Sequence, residues 1–229
     1  LYTIGSMTRE EKQAALEKLH AEIEKVDLPL KSAAGRLVPG EGNPDAEVVF
    51  VGEAPGAEED RQGRPFVGAA GKFLTELIES IKWKREDVYI ANLIKHRPPN
   101  NRDPLPMEIE AYVPWLERQL EIIQPKLIVT LGRYSMAHFL GDPGIRGAGG
   151  LSISKIHGQP KRKGTWVVMP MYHPAAALYQ GSLRPLLTAD FQKIPKVLTM
   201  VKQGKLEEER PAAVPHARDF GEAKQASLL

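Results

Sequence analysis

Short apolar runs that alternate with helical segments constrain the fold of this chain more than any other feature. Four such runs predict strands, at 47–51, 88–93, 127–131 and 165–169. Strands this apolar are typical of a parallel sheet with helices on both faces, because a strand with one wet face alternates apolar and polar residues. The pattern predicts an α/β fold, a three-layer α/β/α arrangement around a mainly parallel central sheet.

The spacing of apolar residues also predicts the elements between these strands. Thr8 and Glu11 match a capping box ahead of a first helix. We expect helices at about 9–26, 70–81, 106–123, 134–140 and 183–201, and a further strand at 153–156. Residues 27–45, the residues after 51 up to Pro65, and the glycine-rich 144–150 are expected to be loops or turns.

Chain length and composition predict one domain. A chain of 229 residues with 42% hydrophobic content can form one sizeable core. Leu1 to Ser6 precede Met7 and are expected to be a cloning remnant, 7–202 a single domain, and 203–229 a tail. No apolar run approaches the ~18 residues of a membrane span, and no signal-peptide pattern is present, so we expect a cytoplasmic protein without membrane contact. We also expect it to be a monomer.

Cysteine is absent, which excludes disulfides, thiolate nucleophiles and cysteine-held metals. No histidine pair has metal-binding spacing, so we expect no metal. The net charge of +2 excludes a polybasic protein. Two basic clusters nevertheless predict a surface that follows phosphate groups near the functional site, although each cluster alone is more typical of solvated loops. They are Lys95, Arg97 and Arg102, and Lys155, Lys161, Arg162 and Lys163.

Two short segments predict the position of the functional site. Gly52-Glu53-Ala54-Pro55-Gly56 follows one apolar strand and His173-Pro174 follows another. Ligands of doubly wound sheets bind beyond the carboxyl ends of the strands, so both segments are expected at one rim. A carboxylate and backbone amides would then face an imidazole.

Two further residues have competing interpretations. Phe66, between Pro65 and Gly68, is either a core side chain or a stacking platform, and the residue type alone favours the core. Asn92 ends a predicted strand, and its amide is either a loop cap or a reader of an imide edge, since it offers one acceptor and two donors.

Together these segments resemble the family 4 uracil-DNA glycosylases. The resemblance rests on Gly-Glu-Ala-Pro-Gly with Glu58-Glu59-Asp60, on the segments 63–68, 92–95 and 97–102, and on His173-Pro174. The motifs occur in order from about His20 to Val201. Each one is weak alone, but so many in register are specific.

The resemblance implies a DNA-repair enzyme that hydrolyses the N-glycosidic bond of uracil in single- or double-stranded DNA and leaves an abasic site. The uracil would flip out of the stack, contact Gly52, stack on Phe66 and be read by Asn92. His173 would donate a hydrogen bond to the leaving base. Glu59 would help exclude thymine, and Glu53 is the acid nearest the expected water. The resemblance also implies that the protein is located in the interior of a bacterial or archaeal cell.

One departure from the family concerns its iron–sulfur cluster, which four cysteines hold. Two of these positions correspond to His96 and Tyr112, and the others lie between Lys25 and Leu28. We expect no cluster in this chain. An apolar plug of Val26, Leu28, Tyr112 and the aliphatic part of Lys25 would replace it, and His96 and Tyr112 would form hydrogen bonds there.

Two other functions stay open from the sequence. One is a uracil-DNA binding protein with weak or no turnover, which could capture DNA covalently through a histidine such as His96. The short loop 96–105 disfavours such capture. The other is a structural relative whose role depends on protein partners, which Asn92 and His173 argue against.

Overall fold

The central sheet has the predicted mainly parallel form. The computed structural model describes residues 7–141 and 151–206. Its strands are β1 (Glu41–Gly42), β2 (Val48–Gly52), β3 (Tyr89–Asn92), β4 (Leu127–Leu131), β5 (Lys161–Lys163) and β6 (Trp166–Met171), in the sheet order β1-β3-β2-β4-β6-β5. The central strands β3, β2, β4 and β6 run parallel, whereas the short edge strands β1 and β5 are antiparallel to their neighbours.

Helices cover both faces of this sheet. They are α1 (Arg9–Lys25), α2 (Ala57–Gln62), α3 (Ala69–Ser80), α4 (Pro106–Ile123), α5 (Arg133–Leu140), α6 (Ile153–Ile156), α7 (Pro174–Tyr179), α8 (Leu183–Phe191) and α9 (Ile194–Lys202). Val49 and Val51 of β2 pack in a core cluster with α1 and α4. Val48 and Phe50 pack in a second cluster with α3, α8 and α9. The alternation confirms three layers, because successive strand residues point to opposite faces.

Two predicted elements are wrong. Residues 153–156 form one helical turn instead of a strand, since Ile153 and Ile156 are three residues apart and both pack against the first core cluster. The helix expected over 183–201 is two helices, α8 and α9. Pro195 has no N–H for the carbonyl of Phe191 and its ring crowds that group, so the helix breaks between them.

Short elements also interrupt the predicted loops. β1 lies inside 27–45 and pairs with β3, and α2 lies inside the long connection after β2. The capping box at Thr8 and Glu11 is confirmed by both of its hydrogen bonds, of 3.2 and 2.7 Å. The expected remnant 1–6, the turn 144–150 and most of the tail lie outside the described residues, and the limits 7–202 of the domain stay a prediction.

Candidate active site

The two segments singled out in the sequence meet at the carboxyl ends of the parallel strands. A pocket of about 480 Å³ opens there. Its lining includes Glu53 and Glu59 after β2, Asn92 at the end of β3, and His173 after β6. The prediction of a shared rim is therefore confirmed.

Asn92 and Phe66 can both pack against Gly52 because this residue has no side chain. A Cβ at Gly52 would lie 2.4 Å from Asn92 Oδ1 and 2.6 Å from Phe66 Cζ, distances that no real Cβ tolerates. Asn92 is 1% exposed, and its Oδ1 has no hydrogen-bond partner among the described residues. A buried acceptor left unpaired in a pocket is a position where a ligand can donate.

Phe66 is a core side chain, as its residue type favours, and its role as a stacking platform stays a prediction. It is buried in the second core cluster and also lines the pocket. Its ring lies 5.5 Å from the His173 ring, with an interplanar angle of 25°. Its φ of 51° is unusual for an aromatic residue, so neighbouring contacts must hold this turn.

Together with Arg85, which donates to the Pro65 carbonyl at 2.6 Å, Glu59 holds that turn. Its Oε1 accepts hydrogen bonds from the backbone N–H groups of Val67 and Gly68, both at 2.8 Å. Its Oε2 accepts from the N–H of Gly56 at 3.2 Å. One carboxylate thus ties the glycine-rich turn after β2 to the Phe66 segment, while it also lines the pocket.

His173 is neutral and oriented by its own helix. Burial lowers the pKa of His173 to about 4, with a smaller opposing effect from Glu59. Its Nδ1 accepts a hydrogen bond from the Ala175 N–H at 3.1 Å. The ring proton therefore resides on Nε2, as the hydrogen bond at Nδ1 dictates. Pro174 begins α7 directly after this residue, where a missing N–H costs nothing.

The pKa of Glu53 is shifted upwards, whereas that of His173 is shifted downwards. Burial raises the pKa of Glu53 to about 7, against the effect of the Tyr134 N–H, which donates to its Oε1 at 3.0 Å. The charges of Arg133 and Asp103 lower and raise this pKa respectively. A carboxyl group with a pKa near 7 is suited to act as a base at neutral pH.

A braced loop forms the outer wall of the pocket. Arg97 donates to Asn101 Oδ1 at 2.7 Å, and Arg102 binds Glu108 through two hydrogen bonds of 2.8 and 2.5 Å. Arg133 pairs with Asp103 of the same loop. Arg102 lines the pocket and is exposed, whereas Arg97 reaches it only through Asn101.

Lys95 does not lie on the surface expected for it. Its side chain is fully buried, and its Nζ donates to the main-chain oxygen of Asn92 at 2.8 Å and to Gln119 Oε1 at 2.6 Å. A phosphate cannot reach it, so its assignment to a DNA-binding cluster is wrong. Its apolar neighbours in 92–96 draw the whole segment into the core.

The second basic cluster lies away from the rim. Lys161, Arg162 and Lys163 form the edge strand β5, in which Lys161 is opposite Val168 and Lys163 is opposite Trp166. The pairing carries the strand away from the carboxyl end of β6, and none of the three residues lines the pocket. The expectation that this cluster lies near the rim is therefore not met.

The residues at the positions of the family's iron–sulfur cluster ligands do not fit such a cluster. His96 Nδ1 and the Tyr112 hydroxyl are 2.8 Å apart, and both side chains are buried. Leu28 is buried as expected, but Lys25 and Val26 are exposed because they end α1 on its outer side. The chain has no cysteine, and the described residues contain no group of three or more potential metal ligands.

Some pocket residues were not predicted from the sequence. Asp103, Ala175, Ala176 and Tyr179 line the pocket, and Tyr179 is 93% exposed. Pro174 after His173 was a usable signal for α7, since proline favours the first helical position.

In the described part of the chain no helix is long and apolar enough to cross a membrane.

Comparison with known proteins agrees with this geometry. The family model described as "Uracil DNA glycosylase superfamily" matches residues 39–198. The type-4 uracil-DNA glycosylase of Sulfurisphaera tokodaii is 52% identical over 162 residues, 69% of this chain and 72% of that protein.

Two further relatives share that description. The type-4 enzyme of Archaeoglobus fulgidus is 51% identical, over 69% of this chain and 79% of its own length. That of Thermotoga maritima is 45% identical, over 72% of this chain and 84% of its own length. The chain therefore belongs to the uracil DNA glycosylase superfamily, among its type-4 members.

Proposed function

We propose that this protein removes uracil from DNA by hydrolysing the bond between the base and C1′ of its sugar. The observation that carries the proposal is the unpartnered Oδ1 of Asn92 in a pocket that Phe66 and His173 also line. A flipped uracil would stack on Phe66 and donate its N3–H to this oxygen. Cytosine has an acceptor at that atom, so the same oxygen would stay unpaired.

His173 would stabilise the departing base. The C1′–N1 bond breaks with its electron pair on the base, so negative charge spreads to the uracil carbonyl oxygens. The neutral imidazole of His173 carries its proton on Nε2, and this N–H can donate a hydrogen bond to such an oxygen. Removing one preorganised donor of this kind typically costs about 3 kcal/mol in the barrier.

Glu53 would act on the water. The water oxygen bonds to C1′, and its proton passes to the Glu53 carboxylate. The position after Glu53 is Ala54, which cannot take a proton. Glu53 is therefore the candidate base on this side of the pocket.

DNA is the partner that the family implies, and we propose contacts at the rim. Arg102 lines the pocket, and Arg97 is braced beside it by Asn101. Lys161, Arg162 and Lys163 would reach a phosphate only if the DNA extends to the edge strand β5. Charge-reversing changes at 161–163 are expected to leave the salt dependence of binding unchanged if the DNA stops at the rim. We also propose that the protein acts as a monomer in the interior of the cell.

A chain without an iron–sulfur cluster is part of the proposal. The mutual hydrogen bond of His96 and Tyr112 supports it, since both side chains are already partnered. The protein purified without added iron is expected to be colourless. Stoichiometric iron in an elemental analysis would contradict this part of the proposal.

Covalent capture of DNA is not favoured. It would need a nucleophilic histidine at the sugar, and His96 lies outside the lining of the active-site pocket and is bonded to Tyr112. The Nδ1 of His173 accepts a hydrogen bond from the Ala175 N–H, so its lone pair is already engaged. Turnover is therefore the expected outcome.

A gel assay tests the proposed function. Purified protein is incubated with a labelled oligonucleotide that contains one uracil, and abasic sites are cleaved with alkali. Multiple turnovers are expected on uracil and none on cytosine or thymine. Asn92→Ala is expected to lose excision by orders of magnitude, while Asn43→Ala, which removes an amide from an exposed turn, retains it. A heat-stable shifted band without product would instead indicate covalent capture.

A further inference from the structure

Lys95 is a buried amine that the reaction outlined above does not use. It has no exposed surface, and its hydrogen-bond acceptors among the described residues are two neutral oxygens, not a carboxylate. Burial lowers the pKa of Lys95 to about 7. Since a methionine would fill a similar volume without the cost of desolvating an amine, the amine needs a reason to be there.

The Lys95 side chain turns back onto the end of β3. Its Nζ donates at 2.8 Å to the carbonyl of Asn92, three residues earlier. The intervening N–H groups of Leu93 and Ile94 donate to the carbonyls of Gly52 and Glu53, both at 3.0 Å. The backbone that carries Asn92 is therefore tied to the glycine-rich turn on one side and to the Lys95 amine on the other.

A second buried amide anchors that amine to the helical layer. Gln119 of α4 is fully buried, and its Oε1 accepts from Lys95 at 2.6 Å. Its Nε2 donates to the Pro39 carbonyl at 2.8 Å and lies 3.2 Å from His20 Nε2 and 3.4 Å from the Tyr89 hydroxyl. The network runs from the α1 and α4 side of the sheet to the floor of the pocket.

We propose that Lys95 is a positioning residue for Asn92, whose side-chain amide it fixes against Gly52 and Phe66 through the Asn92 carbonyl. This inference rests on the proposed function, in which Asn92 reads the imide edge of uracil. Without the Nζ donor, the Asn92 carbonyl loses a buried partner and the end of β3 can shift. A misplacement of about 1 Å costs on the order of 100-fold in rate.

A double-mutant cycle tests the proposal. Single-turnover excision and DNA affinity are measured for wild type, Lys95→Met, Asn92→Ala and the double variant. Lys95→Met is expected to lower the rate on the order of 10- to 100-fold, with little change in DNA affinity. In the Asn92→Ala background the same change should matter by no more than about twofold, because its effect passes through Asn92.

A matched variant separates positioning from support of the fold. Gln119→Met removes the other partner of Lys95 but leaves its bond to Asn92. Its thermal unfolding temperature is expected to fall about as far as that of Lys95→Met, with a much smaller loss of excision rate. If Lys95→Met does not fold, Lys95→Gln, which keeps an N–H donor on a shorter chain, takes its place in the cycle.

A readout independent of turnover separates this inference from the proposed function. The side-chain amide resonance of Asn92, assigned by its loss in Asn92→Ala, is expected to move in Lys95→Met and to stay in place in Gln119→Met. An unmoved resonance, or an equal loss of rate with and without Asn92, overturns the positioning role. Failure of the wild type to excise uracil overturns the proposed function. The Asn92 resonance in Lys95→Met then tests the positioning role of Lys95 by itself.

Discussion

At the scale of single residues, two ionisable groups of the pocket are pushed in opposite directions by burial. Burial raises the pKa of Glu53 to about 7 and lowers that of His173 to about 4. A neutral donor and a base near its working pH can therefore coexist at neutral pH. Groups whose environments separate their pKa values in this way are typical of acid–base sites.

The pH profile of excision should report Glu53. The carboxylate is the active form, so the single-turnover rate is expected to rise with pH through about 7 and then level off. Asp103→Asn should move the midpoint of this rise to lower pH, because Asp103 raises the pKa of Glu53 and binds the Arg133 that lowers it. Glu53→Gln should lower the plateau by about 100-fold. A profile that keeps its rise in Glu53→Gln would assign it to another group.

At the scale of elements, turns place the reacting side chains. Gly132 links β4 to α5 with a φ of 103°, and a Cβ there would lie 2.3 Å from Glu53 Oε1. The turn after β4 therefore determines where the carboxylate after β2 can lie. The ends of β2 and β4 can share one pocket because Gly132, in the turn after β4, leaves room for the Glu53 side chain after β2.

Gly132→Ala tests this dependence. The added Cβ is expected to displace Glu53 and to lower excision on the order of 100-fold. Gly164→Ala is the matched control, because Gly164 also has a positive φ, of 57°, but has no atom within 4 Å of the added Cβ. Excision measured at equal folded fractions should fall only in the first variant. Equal losses in both variants would attribute the effect to backbone strain.

Glu59→Gln tests the turn that carries Phe66. Glutamine has one acceptor oxygen where the carboxylate has two, so at least the bond to Gly56 or the pair to Val67 and Gly68 is lost. We expect a loss of excision of at least about tenfold, since the stacking ring is no longer held. Glu58→Gln, on the exposed face of the same helix and paired with Arg61, should behave as wild type. Uracil-DNA excision and thermal unfolding of both variants provide the measurement.

At the scale of the whole molecule, two partly buried histidines link stability to pH. Burial lowers the pKa of His20 and of His173 to about 4, from 6.5. Between pH 6.5 and 4 the unfolded chain binds these protons and the folded chain does not. The free energy of unfolding therefore falls as the pH falls through this window. Glu53 opposes the trend, because its raised pKa means that the folded chain holds a proton from about pH 4.5 to 7.

His20→Asn measures one part of this linkage. The slope of unfolding free energy against pH is expected to be shallower by up to one proton between pH 4 and 6.5, about 1.4 kcal/mol per pH unit. Denaturant unfolding at a series of pH values provides the slope. Excision at neutral pH should change little, since His20 is outside the active-site pocket. An unchanged slope would show that His20 has the same pKa in the folded protein as in the unfolded chain.

Much of the fold and part of the site were predictable because they depend on local patterns. Apolar runs identify the strands of a parallel sheet, and residues that follow those strands must meet at one rim. Glu53, Asn92 and His173 were found in this way. The strand predicted at 153–156 and the single helix over 183–201 failed, since a short apolar run fits two periods and a proline inside a pattern breaks a helix.

The sequence by itself thus determined the layered parallel sheet, the rim where β2, β3 and β6 end, and the residue types available there. Only the tertiary structure decided that Lys95 is buried behind Asn92, that Lys161 to Lys163 lie on a distant edge, and that Glu59 holds the Phe66 turn. The physical reason is that periodicity reports which residues leave water. It does not report which side chains from distant segments meet, because that depends on how the layers pack.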